Sequence, residues 1–486
     1  MSKSQHNTLC IAEWQSFGEK QIQEVIADTR KDKAKDIFNE FVEFTKQEGN
    51  DKFLKFKNST TLKAQNYVGL IQTKSGFCLE ILPKSFRTAK DSEGFAIKNC
   101  VCSSQKSTHP LTPSAGEEGK EKCQVCQSKQ ILLNMLRTLR DSPFKQSHIS
   151  SLKIHRFPLL EVFAIMFLDE VERLIKRGIK SDYVVREENR TFLKGKLLFG
   201  ENLKRNFAHK ERFFTASDEF IADIAPNRLI VSTILFLSAQ GFSPRTSGRI
   251  SQARFIFADI SPSKSIEKDF ALCPSSRHYK DYELLLAWCE IFLRRKSFMP
   301  YQGGDKAFAL LFDMNKLFES FVAWHLKRAC GNERVIKAQE SHKYLLQIGG
   351  VSKFQIKPDI VCREGNSGGN NVVFIADTKW KILESSESKT YGIAQGDLYQ
   401  MFAYLAKYEC ENGFLIYPQI EEIEASEIED TKALQDFVHK HFTYKPKSNL
   451  PSQNPHKLQI LLFNLRNPSE AANEILAQIN AKTYDL

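Results

Sequence analysis

The sequence predicts an α+β protein of more than one domain, with a β-rich N-terminal region, a mainly helical middle and a C-terminal α/β module built on a mixed sheet. Three observations carry that expectation. The 486 residues exceed one ordinary domain, and two or three is the expected number. Strand-turn-strand patterns rich in β-branched and aromatic residues occur near both ends, at 61–83 and 357–381. Between them run segments with apolar residues at helical spacing. The regions expected are 1–150, with an insertion at about 86–129, then 151–300 and 301–486.

Taken in order, Thr8 to Trp14 reads as a first strand and Asp32 to Gln47 as a helix, with Ile37, Phe38, Phe41, Val42 and Phe44 at helical spacing. Thr61 to Thr73 and Phe77 to Pro83 read as strands joined by a hairpin turn at Lys74-Ser75-Gly76. The composition shifts after Ser85, and Ser104 to Lys122 is rich in Ser, Thr, Pro, Gly and Glu, the signature of an insertion loop. Cys100-x-Cys102 and Cys123-x-x-Cys126 flank it. Three readings stay open for these thiols: a structural Zn²⁺ site, an insertion with unpaired thiols, or a redox pair.

Gln130 to Arg140 and Pro158 to Lys176 read as helices, the second with proline at its first turn. In the stretch from Phe192 to Phe214, Lys194, Lys196, Lys204, Arg205, Lys210 and Arg212 interleave with phenylalanines. That pattern suits either nucleic-acid contact or a solvated basic face over an ordinary core. Asn227 to Ser238 and Tyr279 to Arg295 are further helices, so the middle reads as mostly helical. In the last region Phe308 to Arg328 is the first expected helix and Val335 to Gln347 holds the first expected strand. Asp397 to Tyr408 is a helix, Gly413 to Pro418 and Leu458 to Leu465 are strands, and Asn467 to Ala481 closes the chain as a helix.

The stretch from Lys357 to Tyr404 carries the chemistry. Lys357-Pro358-Asp359-Ile360-Val361 is followed by a turn from Gly365 to Asn371 and then by Val372-Val373-Phe374-Ile375-Ala376-Asp377-Thr378-Lys379-Trp380, a strand by composition. Side chains alternate along a strand, so Asp377 and Lys379 point the same way. The hairpin can bring Asp359 beside them. Two carboxylates at one point repel unless a cation sits with them, and a hard divalent ion with oxygen ligands, commonly Mg²⁺, is the natural filler.

This arrangement resembles the PD-(D/E)xK nuclease superfamily, with Pro358-Asp359 and Asp377-Thr378-Lys379 as its motif. A preceding helix that carries an acid is matched by Glu319 in Asp313 to Val322, and a following Gln-x-x-x-Tyr helix by Gln400-Met401-Phe402-Ala403-Tyr404. Tyr67 to Ile71, Glu80 to Lys84, and Tyr183, Glu187, Asn189, Leu193, Gly195, Lys196 and Leu197 extend the likeness over most of the chain. Together they resemble the McrC subunit family of McrBC-type restriction systems.

The resemblance implies a Mg²⁺-dependent endonuclease. Asp359 and Asp377 would ligate the ion, the Thr378 carbonyl would fill part of its shell, and Glu319 would bind it directly or through water. Lys379 would orient the attacking water or meet the developing charge, and Gln400 and Tyr404 would position the phosphate or the lysine. It also implies an McrB-like AAA+ GTPase partner that binds double-stranded, methylated DNA and carries the GTP, with the N-terminal part of this chain docking onto it. Two other readings are a non-catalytic stimulator of the GTPase and a subunit that cuts unmethylated sites alongside protective methyltransferases.

Composition agrees with a polyanionic partner: 69 basic against 58 acidic residues give +11, with a pI near 8.9. Eleven scattered cysteines suit a reducing compartment. The polar start and the shortness of the apolar runs predict a soluble cytoplasmic protein without a membrane span. The phosphate-cradling pattern Gly-x-x-x-x-Gly-Lys-Ser/Thr occurs nowhere in the sequence, so nucleotide hydrolysis is expected of the partner and not of this chain.

Overall fold

The structure is a computed structural model describing residues 8–26, 28–87, 123–139, 142–146, 157–274, 276–294, 307–331, 334–365, 371–383, 390–419, 421–422, 441–444 and 456–481. The chain divides into two compact units, one made mainly of residues 146–301 and the other of 8–145 with 311–486. The first and third regions expected from the sequence thus share one unit, and the second is inserted between them in the chain. No helix of the described residues is long and apolar enough to cross a membrane.

The outer unit begins with β1 (Thr8–Ala12), β2 (Ser16–Gly18), α1 (Glu19–Val25), α2 (Ala34–Lys46), β3 (Leu54–Asn58), β4 (Thr61–Ala64), β5 (Tyr67–Thr73), β6 (Cys78–Leu82), the short β7 (Phe86–Arg87) and α3 (Gln124–Leu136). β5 and β6 form the predicted hairpin, with the Gly76 amide donating to the Thr73 carbonyl at 3.0 Å. The single strand expected over Thr61 to Thr73 is broken at Gln65 and Asn66. There the Ala64 amide bonds the Gln15 carbonyl and the Gln65 amide bonds the Phe53 carbonyl, so β4 joins β2 and β3 while β5 joins β6. The apolar stripe of α2 closes this region: the ring of Phe41 meets Phe17 at 5.4 Å and Phe77 at 6.2 Å, both edge to face. The helix expected at Gln130 starts six residues earlier, at Gln124, with Cys123 at its N-cap and Cys126 buried in its first turn. Cys100, Cys102 and the stretch 104–122 lie outside the described residues.

The inserted unit contains α4 (Leu159–Arg177), β8 (Asp182–Arg190), β9 (Lys196–Leu197), α5 (Phe199–Arg205), β10 (Phe213–Ile221), α6 (Ala225–Ser238), α7 (Pro244–Ile256), α8 (Ile266–Ala271) and α9 (Lys280–Leu293). Its core is aromatic, with Phe167 against Phe292 at 6.0 Å and Trp288 stacked on Phe292 at 5.8 Å. The buried Glu161 of α4 accepts from the Ser243 amide at 3.1 Å and the Thr246 hydroxyl at 2.7 Å, placing a carboxylate at the N-terminus of α7.

The described residues of the middle are mainly helical, and β8, β10 and β9 add a three-stranded antiparallel sheet that the sequence did not announce. Gly195, in the left-handed region at φ 75°, approaches the Ala216 carbonyl so closely that a Cβ there would lie 2.3 Å from it, which reserves the position for glycine. In the basic-aromatic stretch Phe192, Phe199 and Phe207 are exposed and Phe214 is buried. Glu219 binds Arg190 at 2.7 Å and Lys194 at 2.8 Å, with Arg186 at 3.3 Å. Hydrogen bonds from Arg190 and then Lys194 pull its carboxyl down to about 2. Within the sheet this one carboxylate offsets part of the charge of three cations, of which Lys194 belongs to the basic-aromatic stretch.

The outer unit resumes with β11 (Ala307–Asp313), α10 (Met314–Ala329), β12 (Arg334–Ala338), β13 (Tyr344–Ile348), β14 (Val351–Gln355), β15 (Ile360–Glu364), β16 (Val372–Thr378), α11 (Gln395–Tyr408), β17 (Asn412–Gln419), the short β18 (Glu421–Glu422), β19 (His441–Thr443), β20 (Lys457–Asn464) and α12 (Pro468–Ala481). One expectation fails here. Phe308 to Phe312 is strand β11, added beside β5, and the helix starts only after Asp313, whose side chain accepts from the Asn315 amide at 2.9 Å as its N-cap. Val335 to Gln347 holds the expected strand as β12, which pairs with β15, and also β13, which pairs with β14 in a separate hairpin.

The six-stranded mixed sheet runs β12-β15-β16-β17-β20-β19. β16, β17 and β20 are parallel, and the remaining pairs are antiparallel. Val361, Ile375, Leu415 and Ile460 pack with Met401, Tyr404 and Leu405 of α11 in one core. On the opposite face Phe463 meets Phe318 at 6.4 Å and Phe321 at 5.8 Å, both from α10. The sheet is thus covered by a helix on each face, and the order α10, β12, β15, β16, α11, β17 follows the predicted sequence of elements.

Candidate active site

The site forms where β15 and β16 meet at one end of this sheet. Their antiparallel register pairs Ile360 with Ala376, which sets Asp359 against the end of β16. The Thr378 amide and the Thr378 hydroxyl both donate to Asp359 Oδ2 at 2.7 Å. Asp377 shares the strand face of Ile375 and so turns toward α11; it is 3% exposed. Its Oδ2 lies 2.7 Å from Lys379 Nζ. The parallel neighbour β17 holds the backbone here, with the Lys379 amide donating to the Ile416 carbonyl at 2.9 Å.

Helix α11 closes the other side. Asp397, Gln400 and Tyr404 fall at i, i+3 and i+7, one helical face. Lys379 Nζ donates to Gln400 Oε1 at 2.9 Å, Gln400 Nε2 to the Tyr404 hydroxyl at 2.7 Å, and that hydroxyl to the Lys357 carbonyl at 3.2 Å. Asp397 bridges two lysines, 3.3 Å from Lys379 Nζ and 2.9 Å from Lys381 Nζ. The sequence reading missed Asp397, although it lies on the helix face already marked by Gln400 and Tyr404.

The acids strain against one another. Burial, then the Asp359 charge, pushes Asp377 up to about 6 despite Lys379. Burial and Asp359 likewise push Glu319 up to about 7. Asp359 is raised by burial, against the opposing pull of its two Thr378 bonds and of Lys379 and Lys357. Lys379 is penalised by burial, yet Asp377 and then Asp397 outweigh that and hold its ammonium above the ordinary range. Lys379, Lys357 and Lys381 do not fully balance Asp359, Asp377, Glu319 and Asp397, and the acids that stay raised mark a site suited to an added cation.

Among the described residues no three Asp, Glu, His or Cys side chains close on one point as a ready-made metal cage. Glu319 is therefore within electrostatic reach of Asp359 and Asp377 without completing a three-acid cage with them. Its nearer link is a hydrogen bond with the Gln339 side chain, and the Gln339 amide donates to the Asp359 carbonyl at 2.9 Å. A magnesium ion needs no such cage: one or two carboxylates with water and substrate oxygens are its usual shell. Asp359 and Asp377, hard oxygen donors set side by side at a strand end, fit that requirement. The four-cysteine zinc reading has two of its residues outside the described ones.

Trp380, next to Lys379, is anchored to residues far away in sequence. Its Nε1 donates to Glu13 Oε1 at 2.6 Å, the Lys84 amide donates to the same oxygen at 3.1 Å, and Lys84 Nζ donates to the Trp380 carbonyl at 3.3 Å. Glu13 is 0% exposed, and burial raises its carboxyl while Lys84 opposes that. Nothing in the sequence pattern announced this contact.

A family model described as the McrBC 5-methylcytosine restriction system component matches residues 62–418. No curated protein matches the chain. Among solved structures, the refined half-complex from the tetradecameric assembly of Thermococcus gammatolerans McrB AAA+ hexamers with bound McrC is similar at 16% identity and a TM-score of 0.59, over 97% of this chain and 100% of that one. The cryo-EM structure of the Thermococcus gammatolerans McrBC complex matches at 18% identity and a TM-score of 0.41, over 67% of this chain and 88% of that one.

Proposed function

The chain belongs to the family of McrBC 5-methylcytosine restriction system components, and from that premise we propose that it is the DNA-cutting subunit of such a system. The observation that carries this reading is the convergence of Asp359, Asp377, Lys379 and Gln400 at one end of the mixed sheet. Asp359 and Asp377, with the Thr378 carbonyl, hold magnesium. Bound there, the ion supplies the Lewis acid that offsets charge on the phosphate. Thr378 fixes the orientation of Asp359 through its two bonds. Lys379, kept charged by Asp377 and Asp397, orients the attacking water and faces the charge that develops on the phosphate oxygens. Gln400 and Tyr404 hold the lysine in place, and Glu319 binds water at the edge of the site.

The partner in this reading is an McrB-like AAA+ GTPase, which carries the GTP and reads methylated duplex DNA. Its support is the fold shared with a chain solved in an assembly of McrB AAA+ hexamers with bound McrC. The N-terminal residues 8–87 belong to the same compact unit as the candidate site, and docking onto the partner is the role proposed for them. The inserted unit offers a further surface: Tyr183 and Phe220 are exposed and meet at 5.1 Å on the β8–β10 pair, and exposed apolar pairs of this kind mark interaction sites.

The test is Asp377→Asn in the reconstituted complex, assayed on methylated and unmethylated plasmid with GTP hydrolysis followed in parallel. Loss of cutting with stimulated GTP hydrolysis retained supports the reading. Wild-type cutting by the variant overturns it, and a wild-type chain that stimulates hydrolysis but never cuts favours the non-catalytic stimulator.

A further inference from the structure

Among the described residues, no element covers the hairpin β13–β14 over most of its length. Ile348 is 60% exposed, Val351 56% and Leu346 51% on one face, and Phe354 is 67% exposed on the other. The register pairs Leu346 with Lys353 and Ile348 with Val351, so these four side chains share a face. The tip is Gly349-Gly350, both at positive φ (57° and 80°), the requirement of a tight two-residue hairpin turn. Five residues per strand make a two-stranded ribbon about 17 Å long.

The base of this ribbon is tied to the candidate site. The chain leaves at Gln339, whose amide bonds the Asp359 carbonyl, and returns through Ile356, whose amide donates to the Lys343 carbonyl at 3.0 Å. Only Lys357 and Pro358 then precede Asp359. Gln339 and Phe354, at the two ends of the excursion, both sit in the left-handed region, with φ of 52° and 60°. For a phenylalanine that is a strained position, of the kind that collects at functional segments.

Resting on the nuclease reading above, we propose that this ribbon enters a groove of the duplex being cut and sets the scissile phosphate against Asp359 and Asp377. The major groove of B-DNA admits a two-stranded β-ribbon, and a ribbon exposed on both faces suits an occupant with two walls better than a flat surface. The charge is complementary: from Lys343 to Pro358 there are three lysines and no acidic residue, and Lys353 and Lys357 are exposed to meet phosphates. The exposed Ile348 and Val351 at the tip contact base edges such as the thymine methyl group.

The test measures binding of a short labelled duplex to the full chain across a salt series, beside stimulation of the GTPase partner and plasmid cutting. The double variant Ile348→Ser with Val351→Ser is expected to weaken duplex binding roughly tenfold, with partner stimulation and melting unchanged. Lys353→Glu, a surface charge swap that tests the proposal even if the double variant loses its fold, is expected to flatten the log-log salt dependence by about one. Duplex binding that is unaltered in both variants overturns the proposal. So does loss of partner stimulation with duplex binding intact, which identifies the hairpin as a protein-docking arm. A wild-type chain that binds duplex through the hairpin but never cuts, with partner present, refutes the nuclease reading alone; a chain that does not bind duplex yet cuts with its partner refutes the groove proposal alone, and one that does neither refutes both.

Discussion

Replacing Asp377 by asparagine should make the metal-free protein more stable while removing its cutting activity. The side chain is buried, and its carboxyl stands at about 6 instead of 3.8, chiefly through burial and then through Asp359. At pH well above 6 the folded protein must hold this group ionised against that opposition, which corresponds to about 3 kcal/mol. The sign follows from proton binding. With the folded value raised above the unfolded one, the folded state binds the extra proton between about pH 4 and 6. The penalty is therefore absent in acid, grows as pH rises through that window and is complete above it.

Asparagine keeps the shape and removes the charge, and the lost Lys379 pair is already included in the net shift. The variant should melt about 5 °C above wild type at pH 8 in chelator, and the gain should vanish by pH 4. Magnesium should raise the wild-type melting point and leave the variant nearly unmoved. Scanning calorimetry at the two pH values, with and without magnesium, checks all of this. A variant less stable than wild type at pH 8 without metal would refute the reasoning, because the Asp377–Lys379 pair would then outweigh the repulsion.

Three other outcomes are expected. Asp397→Asn should lower kcat roughly tenfold, with KM little changed, and shift the alkaline limb of the pH profile downward as Lys379 loses a neighbour that holds its proton; Asp397→Glu should restore part of both. Glu13→Ala should cost about 3–5 kcal/mol because Lys84 stays buried without the Glu13 charge, and the pair Glu13→Ala with Lys84→Met should cost less than the sum in chemical denaturation. His325, pushed down to about 4 by burial and then by Arg328, contributes stability that is present above about pH 6.5 and lost as pH falls toward 4; His325→Phe should flatten that part of a midpoint-against-pH curve.

The hairpin carrying Asp359, Asp377 and Lys379 was legible in sequence because its second strand is β-branched, buried and preceded by a run that only a turn accepts. β11 was read as helix because Phe308 to Phe312 is an unbroken apolar run, and such a run has no period to separate strand from helix. β8 went unseen for the opposite reason. Its residues Asp182 to Arg190 are exposed or half-buried throughout, so no buried face imposes alternation. Within the site, residues joined by motif spacing were found. Asp397 was missed because its partner Lys379 lies on a different element, and the anchor of Trp380 went unseen because Glu13 is 367 positions away.

That separation also sets an order of events at the ribosome. Glu13 and Lys84 emerge early, but the indole and carbonyl they bind follow 296 residues after Lys84. At about 5–20 residues per second, the wait is roughly 15–60 s. During most of it β1, β5 and β6 lack the strand β11, which completes their sheet, and throughout it they lack the aromatic side chain that closes over Glu13. The inserted unit, whose residues run without interruption from 157 to 274 among those described, is synthesised whole inside that interval. A nascent chain stalled before Trp380 should therefore carry a protease-resistant middle on an N-terminal segment still open to cleavage and to chaperones.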